Sequence, residues 1–275
     1  MTLVSEIIKK HGPLDFVLVD ACGVLYNAAG SVPSAGDTWN RIKGLGIQPV
    51  VLSNNTSISI PHIAERLQSK GFEINEQDII SSGLSLHLDA HCQSLIRGKR
   101  VYNYGWDSSV PYIEDAGGII SELDMAEAII CMASLKVDNE YAYEAIVAKL
   151  KSAPQTPVIC ANPDHHVWTP KGPYPVVGYY AKRLETELGT PVYWIGKPYA
   201  NFSQVVKGIL SQRFDLSSAK GLFFDDNPEN LLALQRDLGI PGIVVRDTGL
   251  CQILPYRKHF ENSGLPWVSA FKFSQ

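Results

Sequence analysis

The stretch Phe16-Val17-Leu18-Val19-Asp20-Ala21-Cys22-Gly23-Val24-Leu25-Tyr26 decides the fold. Four consecutive apolar residues that end on one carboxylate and a glycine turn suit a strand buried on both faces, as in a parallel sheet covered by helices. Such sheets bind ligands just beyond the carboxyl ends of their strands, which places the chemistry at Asp20. An unpaired buried charge is costly, so the carboxylate needs a partner, and a divalent cation is the natural one. On this segment alone, a plain loop- or helix-capping role for Asp20 fits equally well.

The segments that follow repeat the theme. Trp39, Ile42 and Leu45 recur at helical spacing over Asp37 to Leu45, and Gln48 to Leu52 is a second apolar run, stopping at Ser53-Asn54-Asn55-Thr56-Ser57. A right-handed crossover then brings Asp20 and Ser53 to the same sheet edge. Helices are expected from Pro61 to Lys70-Gly71 and from about Leu84 to Cys92, before a polar break at Arg97-Gly98-Lys99-Arg100. A second alternating set follows: strand Val101 to Tyr104, strand Ala126 to Met132, helix Asn139 to Leu150 and strand Val158 to Ala161. Helix Gly178 to Leu188, strand Val192 to Ile195, Gly196-Lys197-Pro198 and helix Phe202 to Leu210 lead to Gly221-Leu222-Phe223-Phe224-Asp225-Asp226, another apolar strand ending on carboxylates. Gly242 to Val245 returns to the first sheet. The expected fold is α/β: a Rossmann-like parallel-sheet core (1–96 and 191–275) with an inserted α/β cap domain (97–190).

Charge is nearly balanced, 24 basic against 28 acidic side chains in 275 residues, so no broad field favours nucleic acid or an anionic membrane. A small ligand is the expected partner. No basic segment followed by an apolar one opens the chain and no apolar run reaches membrane-spanning length, which suggests a cytoplasmic protein. Five scattered cysteines without a CxxC pair indicate neither a disulfide framework nor a thiolate zinc site. Adjacent histidines seldom point at one metal, so Asn162-Pro163-Asp164-His165-His166-Val167-Trp168 reads as a substrate-contact loop or an ordinary polar loop rather than a zinc site.

The order strand-Asp, strand-Ser, Gly-Lys-Pro, strand-Asp-Asp resembles the haloacid dehalogenase superfamily of phosphohydrolases, and most of all its NagD-type (class IIA) members, which carry a large α/β cap. In that likeness Asp20 with Gly23-Val24-Leu25-Tyr26 corresponds to the first motif, Ser53-Asn54-Asn55 to the second, Lys197 to the third and Asp225-Asp226 to the fourth. Asn162-Pro163-Asp164 corresponds to the cap segment facing the substrate. The resemblance implies Asp20, Ser53 and Lys197 as the catalytic set, with Ser53, Asn54, Asn55, Asp164, His165 and Lys197 around the substrate. It also implies Mg²⁺ held by Asp20, Asp226 and the Cys22 main-chain carbonyl, with Asp225 behind Asp226. A homodimer through the cap is a further expectation.

The residue types suit that chemistry. A carboxylate nucleophile splits hydrolysis into formation and breakdown of an aspartyl phosphate. Mg²⁺ prefers octahedral oxygen ligands, Ser53 can donate its hydroxyl to a phosphoryl oxygen, and Lys197 offsets the charge that gathers there. The departure is Cys22, where most phosphatases of the superfamily carry a second aspartate as general acid and base. General acid-base catalysis is worth about 10² to 10⁴ in rate. The leading expectation is therefore a Mg²⁺-dependent phosphatase of a small phosphorylated metabolite, a sugar phosphate or nucleotide-like compound. The alternatives are a catalytically weakened phosphate-ligand binding or regulatory protein and a phosphotransferase.

Overall fold

The computed structural model describes residues 2–132 and 139–274. Phe16–Val19 forms β1, with every side chain buried. A small antiparallel hairpin of β2 (Tyr26–Asn27) and β3 (Gly30–Ser31) follows the Asp20 turn. Helix Ala35–Gly44 lays Trp39 and Ile42 on the sheet and leads to β4 (Gln48–Ser53); helix Ile60–Gln68 then leads to β5 (Ile79–Ser81). The expected helix from Leu84 to Cys92 is two short ones, Ser85–Leu88 and Ala90–Ile96. Asp89 between them is extended, and its Oδ1 accepts the Cys92 N–H at 2.8 Å, so the aspartate caps a new helix instead of continuing the old one.

The next strands are β6 (Arg100–Tyr104), β7 (Ile119–Ile120), β8 (Ala128–Cys131) and β9 (Val158–Cys160). The antiparallel hairpin β10 (His166–Thr169) and β11 (Gly172–Pro175) comes before helix Val177–Leu188 and β12 (Val192–Trp194). Helix Ala200–Ser211, β13 (Gly221–Asp225), helix Pro228–Leu238, β14 (Gly242–Val245) and β15 (Trp267–Val268) complete the order. Among the described residues no helix is long and apolar enough to cross a membrane.

Two parallel sheets result. The first runs β15-β14-β13-β1-β4-β5, and the second β12-β9-β8-β6-β7. The strand Val192–Trp194, read from sequence as part of the core, pairs in parallel with Val158–Cys160, which carries the second sheet to Trp194, past residue 190. One β-branched and two aromatic residues suit a strand of either sheet, so pattern alone does not separate them. In β1, Phe16 and Leu18 pack into one apolar cluster, with Phe202, Phe223 and Val244. Val17 and Val19 pack into the other, with Trp39, Phe224 and Val245. Burial on both faces is why β1 reads as an unbroken apolar run.

From β1 the chain moves outward through β4 and β5 on one side and β13 to β15 on the other. The carboxyl ends of β1 and β13 therefore meet at a topological switch point, where open α/β sheets form their binding crevice.

Candidate active site

Register fixes who meets whom. Val19 pairs with Phe224 on one side and with Val51 on the other, so Asp20 and Asp225, one residue beyond, and Ser53, two residues beyond Val51, come to the same end of the sheet. The Asp20 N–H is held by the Phe224 carbonyl at 2.8 Å. Lys197, almost completely buried, donates from Nζ to Asp20 Oδ1 at 2.5 Å, Asp225 Oδ2 at 2.7 Å and the Leu52 carbonyl at 2.9 Å. All three ammonium protons are thereby used.

The three carboxylates are not equivalent. Asp225 is saturated: Oδ1 accepts from Asn227 N at 2.7 Å, Asn230 Nδ2 lies 3.1 Å from Oδ2, and Lys197 takes the same Oδ2. Among the described residues the Asp226 carboxylate accepts one hydrogen bond, from Leu250 N to Oδ2 at 2.6 Å, and the Asp20 carboxylate accepts the one from Lys197. Ligand oxygens of Asp20, Asp225 and Asp226 lie within 4.8 Å of one another.

Glycine shapes the cradle around Asp226. A Cβ on Gly23, whose φ is +95°, would fall 2.0 Å from Asp226 Oδ2, and one on Gly249 would fall 1.7 Å from it. Only hydrogen at both positions lets the carboxylate sit there.

Electrostatics mark the cluster as short of positive charge. Burial pushes the Asp20 carboxyl up to about 8 even though Lys197 pulls it down, and Asp225 adds to the rise. Asp226 is held well above the carboxylate range, first by burial and then by Asp225 and Asp20. Burial alone would lower Lys197, yet Asp20 and Asp225 overcome it and keep the amine above its ordinary value. One lysine thus faces three buried carboxylates, and a divalent cation fits the remainder.

These geometric features meet a matching family signature. The sequence profile of the haloacid dehalogenase-like hydrolases matches residues 17–118, from β1 through the second motif into the second sheet. Over that stretch the chain is similar to the haloacid dehalogenase-like hydrolases. Its likeness to the NagD type is direct: it is 26% identical over 183 residues to the dihydroxyacetone phosphatase of Corynebacterium glutamicum (strain R), covering 66% of this chain and 64% of that one. It is 24% identical over 182 residues to the ribonucleotide monophosphatase NagD of Escherichia coli (strain K12), covering 66% and 69%. The fold matches that of a possible sugar phosphatase of the HAD superfamily from Cytophaga hutchinsonii at a TM-score of 0.82, with 20% identity and full coverage of both chains.

Cys22 stands where the resemblance leads one to expect a second aspartate. Its thiol is pushed well above the usual range by burial, then by Asp20 and Asp226, so it is neutral and a poor proton donor.

Asp20, Cys22, Ser53, Asn54, Asn55, Asp164, Lys197 and Asp226 all line one cavity of about 360 Å³ between the two sheets, while Asp225 lies behind it, fully buried. Ser53 Oγ accepts the Asn55 N–H at 3.0 Å, which leaves its proton free for a ligand. Asn54 lines the cavity and also ties its two sides together. Its Oδ1 accepts the Lys197 N–H at 2.8 Å and its Nδ2 donates to Lys197 O at 3.0 Å and Asp164 Oδ1 at 2.9 Å, so the side chain is a brace between core and cap loop. Burial pushes the Asp164 carboxyl up to about 6, with the Asn54 hydrogen bond and Lys197 opposing.

His165 is not on the cavity wall; its ring centroid lies 6.4 Å from that of Trp194, and His166 lines the cavity instead. Tyr26 of the first-motif stretch and Trp168 of the loop that follows Asn162 also line it, as do Arg66 and Trp106, which lie outside every motif read from the sequence. Arg66 is exposed, with its guanidinium 4.8 Å from the Tyr26 ring centroid, and nothing local in helix Ile60–Gln68 distinguishes it from a solvated charge.

Proposed function

We propose that this chain is a Mg²⁺-dependent phosphomonoesterase acting on a small phosphorylated metabolite through Asp20. The observation that carries the reading is the pair of under-coordinated carboxylates, Asp20 and Asp226, beside a lysine already committed to Asp20 and Asp225. Asp20 and Asp226, with the Cys22 carbonyl, are the groups that would hold the cation, because Asp225 has spent its oxygens on Lys197, Asn227 and Asn230. When bound, the cation supplies positive charge against the phosphoryl oxygens and the nucleophile.

The chain's own groups do the rest. Lys197 orients the Asp20 carboxylate from one oxygen, leaving the other to attack phosphorus. Ser53 donates its hydroxyl to a non-bridging oxygen, a contact of the kind that strengthens as charge develops. As the Asp20 oxygen bonds to phosphorus, the P–O bond to the alcohol breaks and the alcohol leaves; water then attacks the aspartyl phosphate, restoring the Asp20 carboxylate and releasing inorganic phosphate. The second sheet and its helices, residues from about 97 to 194, act as a cap whose loop at Asp164 shuts the cavity from solvent.

One feature, Cys22, favours a second reading in which the protein binds a phosphate ligand with little turnover. A phosphometabolite panel assayed for phosphate release with Mg²⁺ separates the two. The expected result is Mg²⁺-dependent turnover that Asp20→Asn abolishes. Ligand binding without turnover on any ester overturns the enzyme reading.

A further inference from the structure

The core contributes the carboxylates and the second layer contributes two indoles. Trp106 follows β6 and is 44% exposed although it lines the cavity. Its loop is braced: the Trp106 carbonyl accepts from Asn103 Nδ2 at 2.9 Å, Ser109 N at 3.0 Å and Ser109 Oγ at 2.6 Å. Ser108 Oγ ties the same loop to the Ser57 carbonyl of the core at 2.6 Å. Trp168 lies on β10, paired with Pro173 across the hairpin, and lines the same cavity. Among the described residues neither indole N–H has a hydrogen-bond partner. A large apolar side chain displayed on a pinned loop, with its one polar atom unused, is arranged to meet something flat.

We propose that the alcohol part of the substrate carries a planar aromatic or heteroaromatic ring and that Trp106 and Trp168 are the residues that select it. This rests on the phosphomonoesterase reading above. A cavity of about 360 Å³ holds a phosphoryl group and one ring of this kind, since ligand pockets begin near that size. Ile58, Val167 and Val176 complete the apolar wall. A short polyol would leave both indoles in water, whereas a ring covers them and gains the offset or edge-to-face contact that aromatic pairs prefer.

The test compares benzyl phosphate with cyclohexylmethyl phosphate. Both release a primary alcohol of similar size, so leaving-group chemistry is matched and only planarity differs. The wild-type protein should favour benzyl phosphate in kcat/KM by about tenfold, mainly through KM. Trp106→Leu and Trp168→Leu should each lower that ratio about threefold or more, and the corresponding Phe variants should keep most of it. Equal kcat/KM for the two esters in the wild type overturns the inference and leaves the phosphatase reading standing. Benzylphosphonate and cyclohexylmethylphosphonate, titrated calorimetrically in Mg²⁺, give a readout without turnover. Benzyl-selective binding that both Leu variants lose, without hydrolysis of either ester, supports ring recognition and overturns the phosphatase reading. Neither hydrolysis nor selective binding overturns both.

Discussion

Lys197 and Asp20 form a buried ion pair, Nζ to Oδ1 at 2.5 Å, across 177 positions of sequence. The pair does not neutralise its surroundings, because Lys197 also serves Asp225 and Asp226 stands uncompensated. Stability should consequently depend on pH in a defined sense. The Asp20 carboxyl lies at about 8 in the fold against 3.8 for the ordinary group, so its proton stabilises the fold fully below 3.8, and that contribution disappears as pH rises to about 8. Without divalent cations, Tm should fall over this range. Added Mg²⁺ competes with the proton and should raise Tm more near pH 8 than near about pH 5. Scanning calorimetry showing a pH-independent Mg²⁺ effect would contradict the assignment.

Asp226→Asn should weaken Mg²⁺ binding strongly while the protein stays folded. Gly249→Ala should do the same indirectly, by about 10- to 100-fold, because the added Cβ would fall 1.7 Å from Asp226 Oδ2 and displace the carboxylate. Asp225→Asn should behave differently and lose stability instead, since it breaks a buried pair with Lys197, a change worth about 3 to 5 kcal/mol. Calorimetric Mg²⁺ titration beside thermal melts distinguishes the two outcomes.

Cys22 sets the leaving-group dependence. With a neutral thiol at the acid-base position, aryl phosphates, which depart unprotonated, should be hydrolysed far faster than alkyl phosphates. Cys22→Asp should raise alkyl ester turnover most, by up to about 10² to 10⁴. A folded, Mg²⁺-binding Cys22→Asp protein with no gain on any ester would move the binding-protein reading ahead.

The Asn54–Asp164 contact predicts a stabilising substitution. Asp164 lies at about 6 in the fold against 3.8 for the ordinary group, so its ionisation opposes folding at neutral pH and not below 3.8. Asp164→Asn keeps an acceptor for Asn54 Nδ2 and removes the charge. Tm should rise above about pH 6, with the gain vanishing in acid. An unchanged Tm at neutral pH would show that the carboxylate is better solvated than its position implies.

Much of this was legible in the sequence, for a physical reason. Strands buried on both faces must be apolar throughout, so β1, β4 and β13 declare themselves and each terminates visibly on Asp20, Ser53 or Asp225-Asp226. What escaped depends on contacts far apart in the chain. The brace role of Asn54 rests on bonds to residues 110 and 143 positions away. Val192–Trp194 is too short to show which sheet it joins. His166 rather than His165 lines the cavity because β10 begins at His166, a boundary with no local signal. Trp106 carries no local signal, because burial of an indole, not its display on a braced loop, is the ordinary outcome.

The central claim is that Asp20 is the nucleophile, and trapping the phosphoryl-enzyme tests it most directly. The protein, mixed with Mg²⁺ and a hydrolysed ester, would be acid-quenched and reduced with borohydride, and its peptides sequenced by mass. Reduction converts an aspartyl phosphate to homoserine, and the account predicts homoserine at position 20 and nowhere else. Steady turnover with an unmodified Asp20, or undiminished turnover in Asp20→Asn, would contradict it.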